Sequence, residues 1–449
     1  MIYYLYATVS QMGFWITWLL IPIVVEFFPA FINFFKLLFL SREVAKVTEP
    51  DMWPYISVII PVYNSQETLY GCIESVHDSN YPKERIQVIV ADNQSVDNSF
   101  TVFQKAQESF HDLNMQWIRT DKGKARALNS AIYSSNGSYI LNIDSDGILE
   151  KNALKNMIRK FESDKSISAM TGSILIQKDL IKQTKGFFLR VLRHIEYFEY
   201  AQAFISGRSI ESQKNQLYTM AGAFSGFRRE VLVETFMYDF DIVGEDIDMT
   251  FQIRERLNGK VVLCVDALYF VDPIEGGRKL YTQRQRWQRG QIEVAQKTVE
   301  DSFKMRSLFS DFLIRRMIID HTFAFLKMIW MFATFSLLFL NYSWILLGLS
   351  YLSMYLLYVV MSLFVFIDVQ VLLKPFKEEQ KFYRRLVWCT FLMPIYTFII
   401  SWFRLVSMIN TIYYPAQWNA KDYAQEYNDI KKIVREDVQK IRKRGDSYE

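Results

Sequence analysis

The chain has 449 residues, 51% hydrophobic and 16% aromatic, and its mean hydropathy of +0.02 averages two solvents: roughly 250 central residues of globular polarity between membrane-like flanks. A net charge of +4 is too small to argue for a nucleic-acid partner, and the basic clusters lie beside apolar stretches, where lipid headgroups account for them. Cys72, Cys264 and Cys389 are far apart and the four histidines show no paired spacing, which fits a reduced, cytosolic domain and argues against zinc chemistry.

From residue 11 to residue 40 the chain is dominated by Phe, Ile, Leu, Val and Trp, with Pro22 and Pro29 as kink positions and Glu26 as the lone acid. About 30 residues at 1.5 Å each can span a bilayer once with tilt, giving a transmembrane segment over residues 1–41. The basic start and small-residue cleavage site of a signal peptide are lacking. Arg42 and Lys46 follow the segment and no Lys or Arg precedes it, so the positive-inside rule puts the next domain in the cytoplasm.

Residues 50–300 read as alternating strand and helix. Residues 55–63 predict a buried strand, 67–76 an amphipathic helix, 86–91 a second strand and 99–110 a second helix. This order implies a parallel sheet with ligands at the carboxyl ends of its strands. Asp92 ends the second strand, where a carboxylate can accept bonds from a nucleobase or ribose, or equally close an Asx-turn. No GxGxxG run follows the first strand, which removes most support for a nicotinamide cofactor.

Asp121-Lys-Gly-Lys124 opens a helix. Cations there are disfavoured by the helix dipole, so a bound phosphate explains Lys124 better than a solvated surface does. The run 137–143 predicts a short buried strand delivering Asp144-Ser145-Asp146 into a turn. Paired carboxylates of this kind suit a divalent cation holding a diphosphate, although such triplets also occur in ordinary turns. The run 222–230 predicts a small-residue turn leading into a charged helix, with Gly222 and Gly226 permitting close approach of a substrate. Gly244-Glu245-Asp246-Ile-Asp248 places three acids at a helix start, as routine caps or as a source of a general base. In Gln283-Arg-Gln-Arg286-Trp287, Arg286 can neutralise a leaving diphosphate while Trp287 stacks under a sugar. A membrane-interface helix face is the bland alternative.

Three further apolar segments cover about 317–340, 344–372 and 386–412, inside a C-terminal membrane region over 313–412. The basic, aromatic link from Lys374 to Arg385 fits an interfacial segment. Pro394 is a candidate break. The charged tail 419–449 has helical periodicity and a wealth of Lys and Arg, which conflicts with three full crossings.

Asp92, Lys124, Asp144-Ser-Asp146, Gly244-Glu-Asp246 and Gln283-x-x-Arg286-Trp287, in that order, resemble membrane-bound processive family 2 glycosyltransferases, relatives of the poly-N-acetylglucosamine, hyaluronan and cellulose synthases. The resemblance covers residues 50–300 closely and the membrane segments loosely. It implies an α/β GT-A domain, Rossmann-like with a mostly parallel sheet, cytosolic and flanked by transmembrane helices. Asp92 would hold the uracil, Lys124 would lie near the nucleotide, and Asp144 with Asp146 would bind Mg2+ or Mn2+ and the diphosphate. Asp246 would be the base of an inverting attack with Glu245 beside it, and Gln283, Arg286 and Trp287 would form the acceptor and diphosphate platform. Residues 193–200 through Arg208 are similar to a helix near the acceptor path. Two departures stand out: Asn93 follows Asp92 where paired acids are usual, and Gly244 replaces the common Thr.

These readings make the chain a multi-pass plasma-membrane enzyme that transfers sugar from a UDP-sugar donor to a β-linked polysaccharide, with its catalytic domain cytoplasmic. Its partners would be a glycan or lipid-linked acceptor, membrane lipids and accessory membrane proteins. Transfer of one sugar to a lipid carrier is the first alternative, and a silent nucleotide-sugar-binding partner of a membrane assembly is the second.

Overall fold

The computed structural model describes residues 20, 22–40, 49–302, 331–340 and 343–413. The apolar stretch before residue 20, the basic residues Arg42 and Lys46, the stretch 317–330 and the tail 419–449 lie outside the described residues.

Eight strands are β1 (Ile56–Val62), β2 (Ile86–Asp92), β3 (Asn114–Arg119), β4 (Tyr139–Ile143), β5 (Gly147–Leu149), β6 (Ile167–Ile176), β7 (Phe224–Arg228) and β8 (Lys260–Val271). The main helices are α1 (Phe28–Leu40), α2 (Leu69–His77), α3 (Ser99–Ser109), α4 (Lys124–Ser134), α5 (Ala153–Ser163), α6 (Phe187–Tyr200), α7 (Glu245–Phe251), α8 (Gly277–Ser302), α9 (Trp344–Leu372), α10 (Lys377–Arg385) and α11 (Cys389–Tyr413).

All eight strands form one sheet in the order β3-β2-β1-β4-β7-β6-β8-β5. The predicted βαβα start holds: β1 pairs in parallel with β2 and β4, and β2 with β3. The sheet is mixed and, as expected, mostly parallel: β6 pairs in parallel with β8, and only β7 and β5 run against the other strands. Strand β7 runs antiparallel between β4 and β6, and β5 antiparallel to β8. The segment 222–230 supplies the first of these opposed strands. Its core Phe224-Ser-Gly-Phe-Arg228 is a fully buried strand, followed only by a short helix over Arg229–Glu234. Gly226 therefore faces Met157 and Leu141 in the core and no substrate; its small size serves sheet–helix packing.

Apolar spacing explains the layers. Helix α5 buries Ala153, Leu154, Met157, Ile158 and Phe161, one stripe at helical period, against the sheet. Strands β1 and β2 are apolar on both faces because helices cover both. Their carboxyl ends, with that of β4, open on the side where the chemistry-bearing residues gather.

Pro22 and Pro29 bracket a π-helical turn at Ile23–Phe27, where the Phe28 amide reaches the Ile23 carbonyl; Pro29 lacks the amide that would continue the regular ladder. Helices α9 and α11 are each long and apolar enough to cross a bilayer, the second with Pro394 inside it. The link between them forms α10, whose Glu379 is buried against Lys178 (2.6 Å) and the Tyr197 hydroxyl (2.6 Å). This segment docks on the sheet domain as well as joining the apolar helices.

Candidate active site

Strand β4 ends at Ile143, and the next residue turns out of the sheet. The Asp144 carbonyl accepts from the Tyr269 hydroxyl and from Cys72 Sγ, its amide donates to the Ala223 carbonyl (3.1 Å), and Ser145 Oγ meets Ser65 Oγ (2.7 Å). Both Asp144 and Asp146 line a large cavity in this pose.

Helix α4 starts at Gly123, whose φ of 134° is a backbone region that side chains rarely enter. Asn93 Oδ1 accepts the Gly123 amide, so Asn93, a departure in the sequence, closes the loop in front of α4. Lys124 follows directly. Its Nζ lies 2.6 Å from Asp144 Oδ1 and 3.9 Å from Glu245 Oε1.

Helix α7 carries Glu245 and Asp246 in its first turn, as predicted. Its start is set by a close backbone crossing with α8, where a Cβ on Gly244 would meet the Gly290 carbonyl oxygen at 2.7 Å. Asp248, the third acid, points elsewhere and binds Lys297 (3.1 Å). Arg208 is buried near Asp246, donates to Thr171 Oγ1 (3.2 Å) and stacks on Phe204 at 4.4 Å.

Four carboxylates, Asp144, Asp146, Glu245 and Asp246, thus share the neighbourhood of two cations, Lys124 and Arg208. The titration shifts follow. Burial, then Asp144, pushes Asp146 up to about 6. Burial outweighs Lys124 and pushes Glu245 up to about 7, and it raises Asp246 against the pull of Lys124 and Arg208. Burial works against the Lys124 ammonium, but Asp144, Glu245 and Asp246 outweigh it and hold the charge on. A site with surplus buried negative charge suits a cation. No group of three metal-ligating side chains is preassembled among the described residues, so the donor set fits a divalent ion that takes further oxygens from a bound diphosphate.

Helix α8 brings the three residues of the expected platform to the same cavity as the carboxylates. Gln283, Arg286 and Trp287 line the same cavity. Gln283 Nε2 donates to the Tyr200 hydroxyl (3.3 Å), while its Oε1 is buried without a hydrogen-bond partner among the described residues; an orphan acceptor of this kind suits a sugar hydroxyl. The Trp287 ring is 40% exposed, with Tyr200 and Phe204 flanking it at 6.2 and 6.3 Å. Arg284 braces it from behind, its guanidinium 4.3 Å from the indole centroid and 2.6 Å from Glu199, which also accepts from the Tyr396 hydroxyl (2.8 Å) of α11.

The cavity measures about 1240 Å³ and is continuous from Asp144 and Asp246, past Trp287, to residues of α1, α9 and α11 such as Ala30, Ser362, Val365 and Thr397. It brings together every predicted site residue except one. Asp92 ends β2 as expected, but its Oδ1 accepts the Ser95 amide (2.9 Å), Arg119 Nε stands 3.8 Å from its Oδ2, and it does not line the cavity. Asp272, raised by burial and facing Asp146, joins the acidic cluster. It was missed in the sequence although it follows the long apolar β8 as Asp144 follows β4. Arg284, Glu199 and Tyr396 left no such signal.

Residues 57–236 match the model of the glycosyl transferase family 2 domain. Over 291 residues the chain is 23% identical to a poly-beta-1,6-N-acetyl-D-glucosamine synthase of Staphylococcus epidermidis, covering 65% of this chain and 68% of that one. Over 240 residues it is 26% identical to the synthase of the same name from Staphylococcus aureus, covering 53% and 55%. The matches thus span between about half and two thirds of those relatives. Among solved structures, a mannosyltransferase from Pyrobaculum calidifontis, in complex with GDP-mannose and Mn2+, superposes with a TM-score of 0.59 at 15% identity, over 87% of this chain and 96% of its own. That likeness is one of fold, and the eight-stranded mixed sheet is a GT-A sheet.

Proposed function

We propose, from the match of residues 57–236 to the glycosyl transferase family 2 model, that the chain builds a β-linked polysaccharide from a UDP-sugar at the cytoplasmic face of a cell membrane. N-acetylglucosamine, the sugar in the relatives' names, is the first donor to test. The observation that carries the reading is the single cavity joining the carboxylate cluster to the apolar helices.

The chemistry follows from the charges. Lys124 and Arg286 hold the diphosphate, and Trp287 with Gln283 holds the acceptor sugar. Asp246 takes the proton of the acceptor hydroxyl as its oxygen attacks the anomeric carbon, and the bond to the UDP oxygen breaks on the opposite face. An α-linked donor therefore yields a β-linkage. Mg2+ or Mn2+, held by Asp144 and Asp146, would supply charge neutralisation for the departing UDP. Asp92 would reach the uracil by giving up its bond to Ser95.

Helices α9 and α11 would span the membrane and lead the growing chain away from Trp287. A second reading, transfer of one sugar to a lipid carrier, draws support from the apolar lining contributed by Val365 and Phe398. Membranes supplied with a panel of UDP-sugars and Mn2+ or Mg2+ separate the two. High-molecular-weight, β-linked product supports the synthase, a single-sugar lipid supports the second reading, and no turnover with any donor rules out both.

A further inference from the structure

Strand β4 carries one side chain that its surroundings do not explain. Alternate residues of a strand share a face, so Asn142 points with Ile140 into the apolar layer of Leu128, Met220 and Phe227. A leucine would fill that place without burying an amide. Asn142 is 4% exposed and stands opposite Ser225 of β7, which stands opposite Thr171 of β6. Three buried polar side chains therefore form a row across one face of the sheet, flanked by Ile59 of β1 and Leu263 of β8.

Asn142 and Ser225 share a small pocket with Glu245 and Asp246 at the start of α7. At one end of the row Thr171 Oγ1 accepts from Arg208, the cation beside Asp246. At the other end Asn142 Nδ2 donates to the Tyr238 hydroxyl (3.0 Å), which also hydrogen-bonds the Ser225 hydroxyl. Burial, then Glu245 and Asp246, push the Tyr238 pKa up and keep its proton on. A hydroxyl has two lone pairs and one proton: Asn142 and Ser225 occupy the lone pairs, and the proton is left to donate. Asn142 Oδ1 is buried with no hydrogen-bond partner among the described residues. One donor and one acceptor are thus left over beside a pocket of about 10 Å³, room for a single water. Lys124, Gly222, Glu245 and Asp246 line both this pocket and the large cavity, so they form the wall between the two. That wall is thin: a Cβ on Gly222 would lie 3.5 Å from Asp246 Oδ2 and 3.7 Å from Lys124 Nζ.

We propose that Asn142 and Tyr238 are positioning residues for the transfer reaction and act through one water bound in this pocket, a role that rests on the reading of Asp246 as the base. The water accepts from the Tyr238 hydroxyl and donates to Asn142 Oδ1 and to the Glu245–Asp246 pair. Each partner left over in the row is then satisfied. Held from behind in this way, the pair keeps its orientation while the cavity side of Asp246 stays open to the acceptor hydroxyl.

The test uses the full chain in lipid nanodiscs, with UDP release measured on the UDP-sugar that the wild type turns over. Combining Asn142→Leu with Tyr238→Phe removes donor and acceptor together, which spares the fold the cost of a stranded partner. The double variant should lose roughly 10-fold or more in kcat while the donor KM holds. Asn142→Ser, which keeps a hydroxyl and leaves space for further water, should recover most of that loss. A wild-type kcat in the double variant overturns the positioning role, and a donor KM that worsens along with kcat assigns the row to the core alone. Full turnover in Asp246→Asn removes the base itself, whereas its loss there beside a wild-type rate in the double variant sinks only the water. A density map of the unsubstituted chain, at a resolution that shows ordered waters, checks the site without turnover. One water about 3 Å from Asn142 Oδ1 is expected, and a dry pocket overturns the proposal.

Discussion

Gly244 and Gly290 meet backbone to backbone: a Cβ on Gly244 would lie 2.7 Å from the Gly290 carbonyl oxygen, and one on Gly290 would lie 2.8 Å from the Gly244 Cα. The contact joins the start of α7, which carries Glu245 and Asp246, to the helix that carries Trp287. It accounts for the glycine found where related motifs have Thr. Gly244→Thr and Gly290→Ala should each cost about 1–3 kcal/mol through overpacking, with loss of activity beyond the loss of fold. Thermal unfolding in detergent, read beside turnover below the melting range, checks this. Wild-type melting and turnover in Gly244→Thr would show that α7 and α8 have room to part.

The pH–rate profile should carry the sign of the charges around Asp246. The base must be ionised, so the rate rises with pH, and burial places that rise above the usual carboxylate range. Lys124 pulls the Asp246 pKa down. Lys124→Gln should therefore move the rising limb to higher pH and lower the maximal rate by roughly 100-fold. Glu245 and Asp246 repel as carboxylates, so Glu245→Gln should move the limb to lower pH. Shifts of both variants in the same direction would remove Asp246 as the titrating group.

Arg284 should matter through Trp287. Removing one partner of its buried pair with Glu199 costs on the order of 3–5 kcal/mol, and the guanidinium plane under the indole is lost as well. Arg284→Met should shorten the product and raise the acceptor KM while the UDP-sugar KM holds, with Arg284→Lys recovering part of the effect. Tyr396→Phe, which leaves Glu199 and Arg284 in place, should show a weaker form of the same split. An equal rise in both KM values would point to general unfolding instead.

Glu196 provides a stability test away from the chemistry. It is buried, accepts the Ile274 amide (2.9 Å), and burial pushes its pKa up to about 7 from 4.5. The folded state therefore prefers the protonated form. The contribution of Glu196 is fully present below pH 4.5 and is lost as pH rises through 7. Glu196→Gln should match the wild type at acid pH and exceed it by roughly 3 kcal/mol above pH 7. Denaturant midpoints at several pH values report it, and a constant difference across pH would refute the assignment.

Much of this was legible in the sequence because it lies in short runs with a period or an end. Apolar runs of six or seven residues announced β1 and β2, and acids at strand ends announced Asp92 and Asp144. Acids at a helix start announced Glu245 and Asp246. Strand β7 was not legible, since Phe-Ser-Gly-Phe-Arg places adjacent small residues at its centre, one on each face, and reads as a turn until Met157 and Leu141 are known to fill the space above Gly226. The mixed sheet follows from that strand together with the short β5. The Glu199, Arg284 and Tyr396 bridge was equally hidden, because its members are 85 and 197 positions apart and only the folded rod of α6 brings them together. Asp92 was placed correctly at its strand end, yet its Asx-type bond to Ser95 is the conformation found.

The carboxylate cluster is proposed as a transferase centre with Asp246 as its base. The most direct measurement is the rate of UDP release by Asp246→Asn in nanodiscs supplied with the UDP-sugar that the wild type turns over, with donor binding measured alongside. Donor affinity should stay close to wild type while the rate falls by roughly 100-fold or more. UDP release and product formation at the wild-type rate in Asp246→Asn would contradict it.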